Sequence, residues 1–225
     1  MPRSYLARND KFCDIGKRKL TTNNYISSSC TIANNTVRKN GALLLENPGT
    51  DISAFLLSVY QYFQSGYPKF YKMDNLSKLG WLCAELLLKD GFNKHDYRPE
   101  KIGLVLANAN SSLDNDLKYS GTIKEVPSPA VFVYTLPNIV IGEICIRNSF
   151  KGEHAFFIQE KFDAAFLAQQ VNYLLNNDIL QACICGWVDV FGQDYKAVLF
   201  LVEKKKNEQA LLFSAEQMDS IFNKI

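Results

Sequence analysis

PSPAVFVYTLPNIVIGEICIRNSFKGEHAFFIQEKFDAAFLAQQVNYLLNNDILQACICGWVDVFG, residues 127–192, decides how this chain folds. Its pieces read as a short helix, a Pro137-Asn138 break, a second helix over 138–147, a short strand, a third helix and a long strand. Pro137 has no backbone N–H to donate and suits the first turn of the helix after it. Asp163 is a good N-cap. Behind it Leu167, Val171, Leu174 and Leu175 recur on one helical face, and Asn176-Asn177-Asp178 ends the helix. The run Leu180–Val190 is apolar on both faces, as expected of a central strand covered on both sides.

Working outward, Lys196–Glu203 reads as a strand returning antiparallel after the Gly192-Gln193-Asp194 turn. Leu211–Ser214 reads as a short edge strand and 215–223 as a final helix capped by Ser214. Upstream, Ile102–Ala109 is a second central strand. Ser111 or Ser112 caps a helical turn after it; a catalytic serine there has neither a Gly-x-Ser-x-Gly elbow nor a nearby His. Two amphipathic helices precede that strand, one capped by Thr50 or Asp51 and stopped at Gly66, and one starting near Asp74 and ending at Gly91. Tyr25–Ala33 alternates as a strand, 34–47 reads as a loop, and the basic residues 1–23 read as an arm, either solvated or lying on another subunit. Strands alternate with helices until the last hairpin, which predicts an α/β chain with a mostly parallel sheet. No linker or repeat interrupts it, so residues 1–225 read as a single domain.

Composition narrows the function. Hydrophobic residues make up 47% of the 225, enough to bury a core. The net charge of +2 gives no basis for binding nucleic acid. The six cysteines (13, 30, 83, 145, 183, 185) sit in apolar runs rather than at framework spacings, as in a reduced, cytoplasmic protein. Cys183-x-Cys185 puts two thiols on one strand face, but the chain has only two His, so no metal site is expected. No apolar run has the length of a membrane span or signal peptide, and no cofactor motif occurs.

Several segments resemble the β-ketoacyl synthases of the thiolase superfamily. These are Thr135-Leu136-Pro137-Asn138, Gly152, Gly186 with Asp189, Phe70–Asp74 leading into a helix, and Ile102–Ala109 followed by Ser111-Ser112. The resemblance covers roughly residues 25–192. It implies a thiolase-like half domain: a five-stranded mixed sheet with helices on both faces, of strands 25–33, 102–109, 155–159, 180–190 and 196–203. Numbered in chain order, these lie as 3-2-1-4-5 with the last antiparallel. A full synthase of this family has two such halves. The first carries a nucleophilic Cys at a helix N-terminus, the second a pair of His. This chain has length for the first half alone, like the short synthase-like proteins of bacterial polyene and fatty-acid gene clusters.

Counting from Gly152 forward and from Asp189 back, the resemblance puts the nucleophile at Lys161. Its neighbours Gln159 and Glu160 are no better as thioester nucleophiles. Phe162 and Asp163 replace the small residues expected after the Cys. The resemblance therefore implies a catalytically silent partner of a true ketosynthase, comparable with the chain length factors of type II polyketide systems. A full-length ketosynthase or a second copy is the expected partner, with an acyl carrier protein also in reach. The alternatives are a scaffold or carrier-binding protein, and an acyltransferase of altered chemistry using Lys161, Glu160 or His154. The resemblance also places a dimer seam at Ala155, Phe156, Phe157, Ile158 and Gln159, with the helix begun by Asn138 beside it. An apolar sheet edge needs such a cover, and the basic arm is the alternative one.

Overall fold

The computed structural model describes residues 23–124, 126–206 and 210–224. The arm expected over residues 1–23 therefore falls almost wholly outside the described residues. In chain order the elements are β1 (Tyr25–Ala33), β2 (Thr36–Lys39), β3 (Ala42–Glu46), α1 (Ile52–Tyr62), α2 (Asn75–Leu88) and β4 (Ile102–Asn108). Then follow α3 (Leu113–Ile123), α4 (Pro129–Phe132), α5 (Ile139–Asn148), β5 (His154–Ile158) and α6 (Ala164–Asn176). The chain closes with β6 (Ala182–Phe191), β7 (Asp194–Glu203), β8 (Leu211–Leu212) and α7 (Ala215–Phe222).

The helices start where their caps say. Asp51, Asp74 and Asp163 accept the N–H of Ala54, Ser77 and Phe166 at 2.9, 2.9 and 2.8 Å. Each bond satisfies an amide that has no partner inside the first turn. Pro137 sits two residues ahead of α5 rather than within it, and Asn138 is the N-cap residue without a side-chain cap bond.

All the strands join one mixed eight-stranded sheet in the order β3-β2-β1-β7-β6-β4-β5, with β8 pairing the start of β1. The pairs β4–β5 and β4–β6 are parallel; β6–β7 and β7–β1 are antiparallel. β6 lies in the middle and is buried from Ala182 to Val188. Three points differ from expectation. The sheet is mostly antiparallel rather than mostly parallel: of the seven strand pairs among the described residues only β4–β5 and β4–β6 run parallel, because β1, β2, β3, β6 and β7 are joined through antiparallel neighbours. Residues 34–47 are no loop: Asn34-Asn35 and Asn40-Gly41 have φ of 49, 57, 50 and 83°, making two tight turns that fold out β2 and β3. Both residues of such a turn need positive φ, which Asn and Gly tolerate best.

The strand order also differs. β1 was expected between the strands at 102–109 and 180–190, with 196–203 at the edge. Instead β7 lies between β6 and β1. The reason is in β7 itself, whose residues Ala197–Val202 are all buried, so both its faces are covered. A strand apolar on both faces belongs inside a sheet. Its hairpin with β6 fills one edge and β1 fills the other.

Helices cover both faces. One core gathers α1, α2 and α5 around Phe55, Trp81, Leu82, Leu104 and Ile184. The other lies under α6 and α7, around Val105, Leu167, Val171, Phe200 and Met218. Gly186 sits in the middle of β6 at φ +145°, and a Cβ there would lie 2.0 Å from the Val198 carbonyl oxygen of β7. Only a residue without a Cβ allows that approach. Gly186→Ala is therefore expected to cost at least about 3 kcal/mol, combining backbone strain with a displaced β7. Urea unfolding measures it, and a loss below about 1 kcal/mol contradicts the close β6–β7 approach.

Candidate functional site

The parallel strands β4, β5 and β6 end together, and the site predicted from sequence lies at those ends. Asn108 closes β4 and is fully buried. Its Nδ2 donates to the Ser111 carbonyl at 2.8 Å, and its Oδ1 accepts the Ser111 N–H at 3.0 Å. Asp189 of β6 holds the same loop, accepting from Asn110 N–H at 3.1 Å and from Asn110 Nδ2 at 2.8 Å. Ser112 starts α3, but its hydroxyl donates to the Thr135 carbonyl at 2.7 Å and makes no cap bond. The capping expectation was right in position and wrong in mechanism.

The position that the resemblance assigns to the nucleophile follows β5. Gln159 N–H donates to Asn108 C=O at 2.8 Å, the last rung of the β4–β5 ladder. The chain then leaves the sheet. Glu160 and Lys161 are exposed, and Asp163 caps α6. Lys161 makes no hydrogen bond or ion pair among the described residues. Phe162 turns inward instead. It stacks on Phe222 of α7, centroids 4.1 Å apart, and meets Trp187 of β6 edge-on at 6.2 Å. Lys196 caps this cluster, its amine 3.8 Å from the Phe222 ring centre and donating to the Phe222 carbonyl at 2.8 Å. Such ring contacts add to area burial. An aromatic plug built from a loop, a strand and the final helix thus fills the space behind the nucleophile position. Beside it lies a mainly polar cavity of about 450 Å³ lined by Asn35, Trp187, Asp189 and Tyr195.

Among the described residues no cysteine is brought to this position. Cys30, Cys83, Cys183 and Cys185 are buried and free, and Cys145 is half-buried on α5. Burial pushes the thiols of Cys83, Cys183 and Cys185 up, and that of Cys145 to about 11. Thiolate, the reactive form, is accordingly scarce near neutrality. His154 is exposed at the start of β5, a full strand length from Lys161. Among the described residues no cluster of His, Cys, Asp or Glu suits a metal ion.

The expected seam residues lie on β5, whose outer edge pairs with no described strand. Ala155, Phe156 and Phe157 are half-buried and Ile158 is 52% exposed. Phe156 packs into the core under α5, and Phe157 into the opposite core, edge-on to Phe166 at 4.9 Å. Gln159 N–H and Glu153 C=O both bond to β4. By the alternation of a parallel ladder, the amides of 155, 157 and 159 face inward and those of 154, 156 and 158 face outward. The buried Oε1 of Gln159 accepts no hydrogen bond among the described residues. Asn138 is exposed at the head of α5, which shares its core with Phe156.

Sequence reasoning missed Glu143. This α5 residue is 3% exposed, held by Lys69 Nζ at 2.8 Å and by the Tyr134 hydroxyl at 3.3 Å. Burial, with the neighbouring carboxylate, raises the Tyr134 pKa. The signal was present: one acidic residue in the apolar run Ile139–Ile146.

No protein-family model and no curated protein matches the chain. Solved structures do. The ishigamide ketosynthase/chain length factor superposes with a TM-score of 0.60 at 16% identity over 84% of this chain. The type II polyketide ketosynthase AntDE, solved with its acyl-carrier protein AntF, gives 0.53 at 14% over 81%. The ketosynthase ApeO in complex with its chain length factor ApeC, from Xenorhabdus doucetiae, gives 0.51 at 10% over 83%. The chain spans 64% and 62% of the first two and 80% of the third. These likenesses establish the fold: thiolase-like, as in ketosynthases and chain length factors. Among the described residues, no single helix is long and apolar enough to cross a membrane.

The thiols give a direct check on whether any described cysteine is available as a nucleophile. At pH 8 a thiol of pKa about 11 is about one part in a thousand thiolate. Iodoacetamide at that pH should leave Cys30, Cys83, Cys145, Cys183 and Cys185 unlabelled in the folded protein and label all five in urea. For Cys145 the rate should rise about tenfold per pH unit up to about 10. Peptide mass mapping reads it out, and rapid labelling of any of the five in the folded protein at pH 8 contradicts the site as described.

Proposed function

We propose that this chain, a thiolase-fold half domain, is a catalytically silent partner of a 3-oxoacyl-[acyl-carrier-protein] synthase in fatty-acid or polyene biosynthesis, comparable with a chain length factor. The observation that carries the reading is the aromatic plug at Phe162, Trp187 and Phe222. It lies beside Lys161, where the resemblance would put the nucleophile, in space that an acyl chain would need. A fold kept while its catalytic position is filled suits a protein that works by binding. Neighbours solved as ketosynthase and chain length factor complexes support the same reading, as does one solved with a carrier protein. The free thiols suit a cytoplasmic location.

The partner surface in this reading is β5. An unpaired apolar edge invites a strand, and the outward amides of His154, Phe156 and Ile158 offer the ladder. Phe156 and Phe157 are already half-buried in the chain's own cores, so the ladder and Ile158 contribute most. Fully covering Ile158 adds about 1.5–3 kcal/mol at most. A partner strand or an ordered water supplies the donor that Gln159 Oε1 lacks, and an exposed Lys161 beside the seam suits an acidic carrier protein. The scaffold reading predicts no ketosynthase complex; the altered-enzyme reading predicts an acyl adduct within 158–163.

Sedimentation with a candidate full-length ketosynthase tests the proposal. Wild type should form a stable complex, or a homodimer through the same edge. Ile158→Pro removes an outward donor at an exposed position, so it should weaken association at least roughly tenfold with the melting temperature little changed. Phe157→Pro removes an inward donor and should instead destabilise the fold. A wild type that stays monomeric alone and with the synthase contradicts the reading.

A further inference from the structure

The second face of the sheet changes character at β1. Under α6 and α7 it is apolar, through Val198 and Phe200 of β7. Next to them on β1 stand Thr31 and Ser29, the register partners of those two residues. Beyond Thr31 comes Arg38 of β2, its direct partner. Directly opposed residues share a sheet face with Cβ atoms about 4.5–5.5 Å apart. Here the helical cover stops and leaves a cavity of about 660 Å³, roofed in part by Leu211 of β8 and by Ile221 and Lys224 of the C-terminal helical segment. That size lies in the range of small-molecule sites, roughly 300–1,000 Å³.

Three observations fix the chemistry such a cavity takes. Ser29 and Thr31 are each only 6% exposed, line the cavity, and have hydroxyls without a partner among the described residues. Hydroxyls that line a cavity and are not used inside the chain can donate to a ligand oxygen. Arg38 and the Lys224 amine also line it and make no hydrogen bond or ion pair among the described residues. Finally, the described lining contains no carboxylate. Asn40 adds to the donors. Its Oδ1 is taken by Ser29 N–H at 2.7 Å and the Ser28 hydroxyl at 3.2 Å, which leaves its Nδ2 to donate. The polar end of the cavity offers donors and cations, and the roof offers aliphatic surface.

We propose that this cavity binds a small amphiphile with one anionic headgroup, a phosphate monoester or a carboxylate. The headgroup sits on Arg38 and the Thr31 and Ser29 hydroxyls, within reach of Lys224, and the tail lies against Leu211 and Ile221. Arg38 is suited to such a headgroup because guanidinium pairs with carboxylate and phosphate through two parallel hydrogen bonds. The site lies at the opposite end of the sheet from β5 and does not depend on the partner reading.

Isothermal titration of the full chain with octyl phosphate, octanoate, inorganic phosphate and octanol tests it. One equivalent of octyl phosphate, of octanoate or of both should bind, with octanol weaker by roughly tenfold or more. Which anion binds names the headgroup. Displacement of the bound anion by inorganic phosphate identifies the phosphate group as sufficient; its failure assigns part of the affinity to the tail. Arg38→Gln should lower the affinity for the anion roughly tenfold and leave the octanol value unchanged. Lys224→Gln, in the last turn of the chain, is the second variant should Arg38→Gln unfold, and should lower it roughly threefold. Binding of octanol as tight as that of the anions, anion affinity unchanged in a folded Arg38→Gln and in Lys224→Gln, or no binding of either anion overturns the proposal.

Discussion

The structure hangs on β6. It is the strand with a parallel neighbour on one side, an antiparallel neighbour on the other and a helical layer on each face. Its residues from Ala182 to Val188 are buried, so every backbone group in that span must find its partner within the sheet. The bond pattern to β7 then requires Gly186, where a methyl group would meet the Val198 carbonyl. The parallel register to β4 brings the ends of β4, β5 and β6 together and so locates the site. A change at β6 propagates to both cores and to the site, because all three share its backbone.

Much of this was legible in the sequence. The caps Asp163 and Ser214 were readable, as were Asp51 as one of two candidates and Asp74 as the start of α2, because a side-chain oxygen before an amphipathic run has one obvious use. The buried strands β4 and β6 were readable because apolar runs without alternation mark strands covered on both faces, but the mostly parallel sheet was not borne out, since β7, apolar on both faces too, runs antiparallel to β6 and β1. The position of β1 was not read correctly, although β7 carried the same unalternating signal as β6. A hairpin was taken to end the sheet, and the burial of Ala197–Val202 on both faces argues otherwise. β2 and β3 were missed because a four-residue strand has almost no periodicity, and the Asn-Asn and Asn-Gly pairs were read as loop rather than as turns.

The site was legible in outline and not in substance. Lys161, where the resemblance would put the nucleophile, lies just beyond β5 and makes no contact of note among the described residues; its neighbour does. Phe162 closes the place by stacking on Phe222, sixty positions later in the chain, a contact no local pattern announces. Glu143 was hidden in the same way, because its partners Lys69 and Tyr134 come from separate segments. The serines and threonine of β1 are plain in the sequence, but what they face is not. In the structure the helical cover stops short of Ser29 and Thr31, and only the tertiary arrangement shows a cavity there.

Function in this account rests on an edge with half its backbone groups turned outward, and hydrogen exchange reads those groups one at a time. In the dilute protein alone, the amides of Ala155, Phe157 and Gln159 should exchange slowly, and those of Phe156 and Ile158 rapidly. Adding the ketosynthase should slow Phe156 and Ile158 and leave the other three as they were. Slow exchange of Phe156 and Ile158 in the isolated chain means the edge is covered from within. Rapid exchange that the synthase does not change means the edge is not the seam, and either result contradicts the account.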